Sequence, residues 1–189
     1  MSGAAAVMAL RPSRRLMAAG GLLGALTMGA LASANIAGLR INSTASMPRG
    51  LWRVVQRDAP LQRGEIVTVC PPDTKPIRQG VTRGYIPAGD CPDGYEPLVK
   101  PIAAIAGDLV AVSAAGVTVN GQPVQGTAQL PRDGAGRPLR PFPAGIYRVV
   151  AGELWLLSGH DPRSFDSRYF GPVPAKNVQG VAHPVWVLR

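Results

Sequence analysis

Acidic residues are scarce. None precedes Asp58, and the whole chain has 11 Asp and Glu against 20 Lys and Arg. Charged residues are 16% of the 189, where roughly a quarter is usual. Gly and Pro, at 23 and 19 residues, together reach roughly 22% where ~12% is usual. This composition excludes a coiled coil or helical bundle. Disorder is excluded too, because 46% of the chain is hydrophobic and its apolar runs are spread along the length. Cysteine occurs only as Cys70 and Cys91, and histidine only as His160 and His183. Two cysteines cannot make a structural zinc site, and neither histidine stands at ligand spacing, so no metal is expected. No Gly-x-x-x-x-Gly-Lys phosphate loop and no Gly-x-Ser-x-Gly elbow is present, so both histidines read as loop or surface residues rather than triad members. Zinc-finger, helix-turn-helix and RNA-binding aromatic patterns are also missing, which argues against nucleic acid as a partner despite a formal net charge of +9. No cofactor is implied.

What is present is a turn-rich chain, mainly β, with an unusual start. Arg11, Arg14 and Arg15 precede a charge-free stretch, Leu16 to Leu39, rich in Ala and Gly. As a helix it is long enough to span a hydrocarbon core of ~30 Å. Basic residues before it and a globular chain after it predict the N-terminus in the cytoplasm and the domain outside. A cleavable signal peptide is the competing reading, since Ala30-Leu31-Ala32 and Ala32-Ser33-Ala34 both have the small-x-small pattern of a cleavage site. Residues 1–39 are thus a basic segment with an anchor or signal peptide, and 40–189 an exported domain. That domain is either periplasmic and tethered to the inner membrane, or free in the periplasm. Its basic balance suits an anionic membrane surface.

In an exported domain an even pair of cysteines reads as a disulfide, two unpaired thiols being the alternative. A Cys70–Cys91 bridge would staple an insertion, 70–91, that is rich in Pro and Gly and has little core of its own. Leu51–Gln56, Glu65–Val69, Leu98–Ile105 and Asp108–Ser113 read as strands. Val117–Val119 and Gln122–Val124 flank Asn120-Gly121, a type I′ hairpin signal. Gly145–Val150 and Glu153–Ser158 suggest a second hairpin around Ala151-Gly152. Val178–Leu188 reads as a closing strand interrupted by Pro184, Gln125–Pro143 as a long loop, Arg40–Ala45 as a polar link and Thr74–Arg83 as a short helix.

Three local groups carry the chemistry. The first is Asn42-Ser43-Thr44-Ala45-Ser46-Met47-Pro48-Arg49-Gly50, and the second is Leu98-Val99-Lys100-Pro101 running on to Gly107-Asp108. The third is Ser164-Phe165-Asp166-Ser167-Arg168-Tyr169-Phe170-Gly171. Singly, each has a bland reading: a turn serine, a solvated strand lysine, a surface ion pair. Together, in this order and after an apolar span, they resemble the boxes of bacterial type I signal peptidases. Arg63-Gly64-Glu65-Ile66-Val67 resembles a further box of that family, a structural strand. The resemblance runs from about Asn42 to the C-terminus and is closest to the family's conjugative-transfer subgroup, in compact size, in the Ser-Met-Pro-x-Gly-Leu start and in the Cys-containing insertion.

The resemblance implies a signal-peptidase-like β-barrel or sheet domain with a Ser/Lys dyad. Ser46 would be the nucleophile and Lys100 the general base. A serine hydroxyl needs a base to take its proton. An ammonium can do so only once neutral, which burial among apolar groups such as Leu98 and Ile102 promotes. The Ser46 backbone N–H and the Thr44 hydroxyl would stabilise the oxyanion. Ser164 would orient the lysine, and Asp166 with Arg168 would support the loop. Two departures stand out: Pro101 replaces the usual Arg after the lysine, and Ser158-Gly159-His160-Asp161 replaces Gly-Asp-Asn-Arg. The implied function is a membrane-associated serine endopeptidase acting on an exported precursor, a conjugative pilin by the subgroup's example, with cyclisation as a possible outcome. The alternatives are general signal-peptide cleavage and a non-catalytic β module of a conjugation or secretion apparatus.

Overall fold

The structure, a computed structural model, describes residues 38–188. The basic segment and nearly all of the predicted span lie outside the described residues. No helix among the described residues is long and apolar enough to cross a membrane. In chain order the elements are β1 (Leu39–Asn42), β2 (Gly50–Val55), β3 (Ile66–Val69), α1 (Lys75–Thr82), β4 (Leu98–Ala104), β5 (Leu109–Ser113), β6 (Gly116–Val119), β7 (Gln122–Val124), β8 (Gly145–Arg148), β9 (Glu153–Leu156), α2 (Ser167–Phe170), β10 (Val173–Pro174) and β11 (Val178–Val187). The domain is mainly β, as its turn-rich composition requires. A seven-stranded antiparallel sheet runs β1-β2-β11-β3-β4-β9-β10, and a four-stranded one runs β7-β6-β5-β8.

Most predicted strands form within a residue or two of their expected ends. The Asn120-Gly121 hairpin joins β6 to β7 with both turn residues at positive φ, 51° and 79°, the geometry a type I′ turn needs. β11 is an interior strand, passing from β3 to β2, and its pairing with β2 slips between Pro184 and Trp186. The proline, which has no N–H to give, is accommodated at this irregularity. Pro101 is tolerated for a similar reason. Its carbonyl accepts from the Leu157 N–H, and its nitrogen falls where the β4–β9 pairing ends at Ile102 and Leu156.

Two expectations need correction. Leu39–Asn42 is a strand paired with β2, where the sequence suggested the end of a span and a polar link. More consequentially, Gly145–Arg148 and Glu153–Leu156 do not form a hairpin. β8 pairs with β5 in the small sheet, whereas β9 lies between β4 and β10 in the large one. The turn at Ala151-Gly152 is real, but the chain changes sheets there. The reason is burial on both faces. Leu154 and Leu156 enter the main core with Val67, Val69, Ile102 and Val181. Trp155 and Leu157 enter a second core with Val110, Val112, Val117 and Val119. A two-stranded hairpin with the largely exposed β8 would leave one of these faces wet, at about 1.5–3 kcal/mol per large apolar side chain.

The insertion is stapled as expected. Cys70 and Cys91 form a disulfide across a sequence separation of 21, and both sulfurs belong to the main core. α1 begins at Lys75-Pro76, proline being well placed in a first turn, and buries Ile77 and Gly80. Gly80 permits a close approach: a Cβ there would lie 2.7 Å from the Phe165 ring. The insertion therefore packs directly against the loop that carries Ser164 and Asp166. Replacing both Cys70 and Cys91 by Ala is expected to lower stability by about 3 kcal/mol, the chain-entropy value for a loop of this length. Urea midpoints of the variant and of the oxidised protein check this, and equal midpoints would refute it.

Candidate active site

Asn42 closes β1 opposite Gly50 of β2, so residues 43–49 form a loop between two paired strands. The Asn42 side chain is buried and organises that loop. Its amide nitrogen donates to the carbonyls of Thr44 (3.1 Å), Met47 (3.0 Å) and Pro48 (3.1 Å). Its oxygen accepts from the Thr44 N–H at 3.3 Å and the Thr44 hydroxyl at 2.9 Å. Trp52 Nε1 adds a bond to the Pro48 carbonyl, and Met47 packs with Trp52 and Ala182. These ties leave Ser46 half-buried at the loop's crest. Its Oγ lies 3.1 Å from Thr44 Oγ1 and accepts from Lys100 Nζ at 2.5 Å.

Lys100 comes from the middle of β4, where alternation puts Leu98, Lys100, Ile102 and Ala104 on one buried face. Only 2% of the residue is exposed. Burial therefore pushes its amine down to about 8; Asp166 opposes the shift and Arg168 adds to it. An amine held at this value is substantially neutral in mildly alkaline solution and can take a proton from a hydroxyl in hydrogen-bond contact.

Ser164 lines the same cleft, about 290 Å³ in volume, as Ser46 and Lys100. Its hydroxyl is buried and has no hydrogen-bond partner among the described residues; the contact with the lysine that the resemblance implies is not formed in this arrangement. Asp166 and Arg168 are fully buried and doubly bonded, Nε to Oδ1 at 2.8 Å and Nη2 to Oδ2 at 2.9 Å. This is a core ion pair, not a surface one, and its spare hydrogen bonds make it a hub. Arg168 donates to the carbonyls of Gly126, Ala128, Pro162 and Ser164. Asp166 accepts from the Ser158 N–H at 3.1 Å and caps α2 through the Arg168 N–H. The two loops that meet here touch backbone to backbone, since a Cβ on Gly159 would lie 2.1 Å from the Gln125 carbonyl oxygen. That contact accounts for the glycine at 159.

Other sequence features fall outside the cleft. Asp108 fastens the turn between β4 and β5 by accepting from the Ile105 N–H, Asn120 Nδ2 and, at 3.4 Å, Arg63 Nε. The Arg63-Gly64-Glu65 box is thus tied to the lysine's segment as structure. His160 and His183 are exposed. Two residues in contact with the Ser46 loop carried no role in the sequence reading. Asn42 was only the first letter of a motif. Ser158, whose hydroxyl donates to the Ser46 carbonyl and lies 3.6 Å from Met47 Sδ, was visible only as a departure from a family Gly.

The Lys100 shift has a stability consequence. Its folded value lies below its unfolded one, so the unfolded chain binds more protons between about 8 and 10.5. Wild-type stability should rise with pH through that window. Lys100→Met should therefore stabilise the protein by roughly 3 kcal/mol below pH 8, with the gain fading toward pH 10.5. Urea unfolding at pH 7 and pH 10 measures it; a gain that does not change with pH would contradict the shift.

Residues 13–187 match the family described as signal peptidase, peptidase S26. The probable conjugal transfer protein TraF of Sinorhizobium fredii is 44% identical over 169 residues, covering 87% of this chain and 88% of that protein. The conjugal transfer protein TraF of Agrobacterium fabrum is 39% identical, covering 89% and 93%. A plasmid transfer protein TraF of Escherichia coli is 38% identical, covering 90% and 94%. Among solved structures, a signal peptidase I from Enterococcus faecalis V583 matches at 20% identity with a TM-score of 0.37, covering 65% of this chain and 97% of that one; so slight a likeness bears no weight. The extent of the family match and the identity to these relatives settle the matter: this chain belongs to the signal peptidase, peptidase S26, family.

Proposed function

We propose that this protein is a membrane-associated serine endopeptidase of conjugation, which cuts an exported pilin precursor through an acyl-enzyme on Ser46. The observation that carries the reading is the Lys100 amine, buried and 2.5 Å from Ser46 Oγ. Neutral Lys100 takes the hydroxyl proton as Ser46 Oγ bonds to the scissile carbonyl carbon. The Ser46 N–H and the Thr44 hydroxyl, turned away from Asn42, meet the oxyanion. The Lys100 ammonium then protonates the leaving amine as the peptide bond breaks. Ser164, whose free hydroxyl lines the cleft, offers the amine a hydrogen bond once it no longer donates to Ser46. Water then releases a linear product, or the pilin's own amine attacks the ester and gives a cyclic one. Asp166 and Arg168 hold the loop and touch no reacting atom.

Three features support the cellular part. The sequence carries a predicted span with basic residues before it. Its relatives are named for conjugal and plasmid transfer. Finally, Ile41, Leu51 and Trp186 align across β1, β2 and β11, with Ile41 and Trp186 exposed, an apolar row suited to a bilayer surface. In this reading the domain faces the periplasm and works where precursors with membrane segments arrive.

Ser46→Ala and Lys100→Ala are each expected to abolish processing while the fold persists. The intact mass of a pilin precursor co-expressed with wild type or variant reads this out. Shortening by wild type alone supports the peptidase, and a further loss of one water marks cyclisation. Processing retained in either folded variant would sink the dyad. Because the base must be neutral, kcat/KM should fall about tenfold per pH unit below the lysine's value, with a midpoint near 8. A profile flat from pH 6 to 9 would exclude Lys100 as the base.

A further inference from the structure

The Ser46 N–H lies in the peptide plane between Ala45 and Ser46. The planes on either side are both tethered. The Thr44 carbonyl, in the plane before, accepts from Asn42 Nδ2. The Ser46 carbonyl, in the plane after, accepts from the Ser158 hydroxyl. The Ser46 N–H itself donates to no acceptor among the described residues. Both tethering side chains are buried, at 5% and 1% exposed, so neither is loosened by competition with water. Ser158 is in turn held by the ion pair, through its N–H to Asp166 and its carbonyl to Arg168 Nη2 at 3.5 Å.

We infer that Ser158 and Asn42 are positioning residues that bracket the Ser46 peptide and aim its N–H into the cleft. The inference deepens the proposed function and rests on the acyl-enzyme reading. Its physical content is specific. The two tethers fix the backbone torsions at Ala45 and at Ser46, on either side of the peptide plane that carries the Ser46 N–H, so the N–H and Oγ keep one mutual geometry. The link also gives the buried ion pair a route to the site that does not pass through Lys100. Asp166 fixes the Ser158 backbone, and the Ser158 hydroxyl fixes the Ser46 carbonyl. A glycine at 158 could not make this bond, which is why the family departure noted at this position matters.

The test uses the full chain and a p-nitrophenyl ester of an alanine-ended peptide, whose burst of nitrophenolate reports acylation directly. Ser158→Ala should slow the burst about 10–100-fold, since misplacement of an oxyanion donor costs up to ~100-fold or more. The substrate dissociation constant, read from the concentration dependence of the burst rate, should stay within about twofold and the pH midpoint unchanged, because Lys100 keeps its surroundings. Ser158→Thr should recover most of the rate, Met47 yielding to the added methyl. Ser-Met occurs once in the chain, at Ser46-Met47, so carbonyl-13C serine with 15N methionine gives a single resonance for the Ser46 carbonyl. That resonance should move upfield in Ser158→Ala and not in Ser158→Thr. Asn42→Asp keeps the side chain's shape without its donors; measured on the high-pH plateau it should slow acylation by a similar factor, and it serves if Ser158→Ala does not fold. No nitrophenolate release from wild type above that of Ser46→Ala would overturn the acyl-enzyme reading and the inference with it. A wild-type burst matched within twofold by Ser158→Ala or by Asn42→Asp, or an unmoved carbonyl resonance, would overturn the inference alone.

Discussion

Everything near the cleft follows from keeping one amine out of water beside one hydroxyl. Lys100 sits in the middle of β4, and β4 sits between β3 and β9, so neither flank of the strand is open. Its side chain leaves the sheet among Leu98 and Ile102, on the face that fills the main core. An amine there cannot retreat toward solvent to regain its hydration. The energetic penalty falls on its charged form, which is the form a proton acceptor must shed. The serine has to be brought to the lysine, and the loop after β1 does so, its carbonyls gathered by a single asparagine.

The carboxylate of the neighbouring ion pair works against this arrangement, because a carboxylate near an ammonium favours the charged amine. Asp166 does oppose the shift, but Arg168 stands beside it and works the other way. Bound to each other in a fork, the two present little net charge, and burial decides the outcome. The pair thus has two compatible tasks. It ties residues 126–128 to residues 158–164 through Arg168's hydrogen bonds, and it keeps its own field from recharging the lysine. Asp166 left alone would do neither, because the ties to residues 126–128 are Arg168's and an unpaired carboxylate would favour the charged amine.

The lysine, the serine and the ion pair were legible only together: singly each has a bland reading, and it is their order along the chain that resembles the boxes of the family. The disulfide was legible too, from an even pair of cysteines at the two ends of a Pro- and Gly-rich insertion. What failed to show was pairing at long range. The second hairpin was inferred from a real turn, but a turn cannot say whether its flanking runs pair with each other. The burial of Leu154 and Trp155 on opposite faces decided that, and it depends on strands that arrive from elsewhere in the chain. Ser158 was hidden for the same reason. Its partner is 112 residues away, and a serine that donates to a distant carbonyl leaves no periodicity or spacing behind.

The insertion shows how a remote staple bears on the cleft. Tyr85 and Pro87 lie within it, Glu96 lies just past Cys91, and all three line the cleft, as do Phe165 and Ser164. The Tyr85 and Phe165 rings lie 5.3 Å apart, and Phe165 also stacks on Tyr169 at 5.6 Å. Gly80 of α1 leaves room for the same ring. Holding Cys70 to Cys91 therefore holds α1, α1 holds Phe165, and Phe165 fixes the backbone that presents Ser164 and Asp166. The segment with the least core of its own becomes a wall of the cleft because its single covalent cross-link lets a short helix act as a rigid buttress.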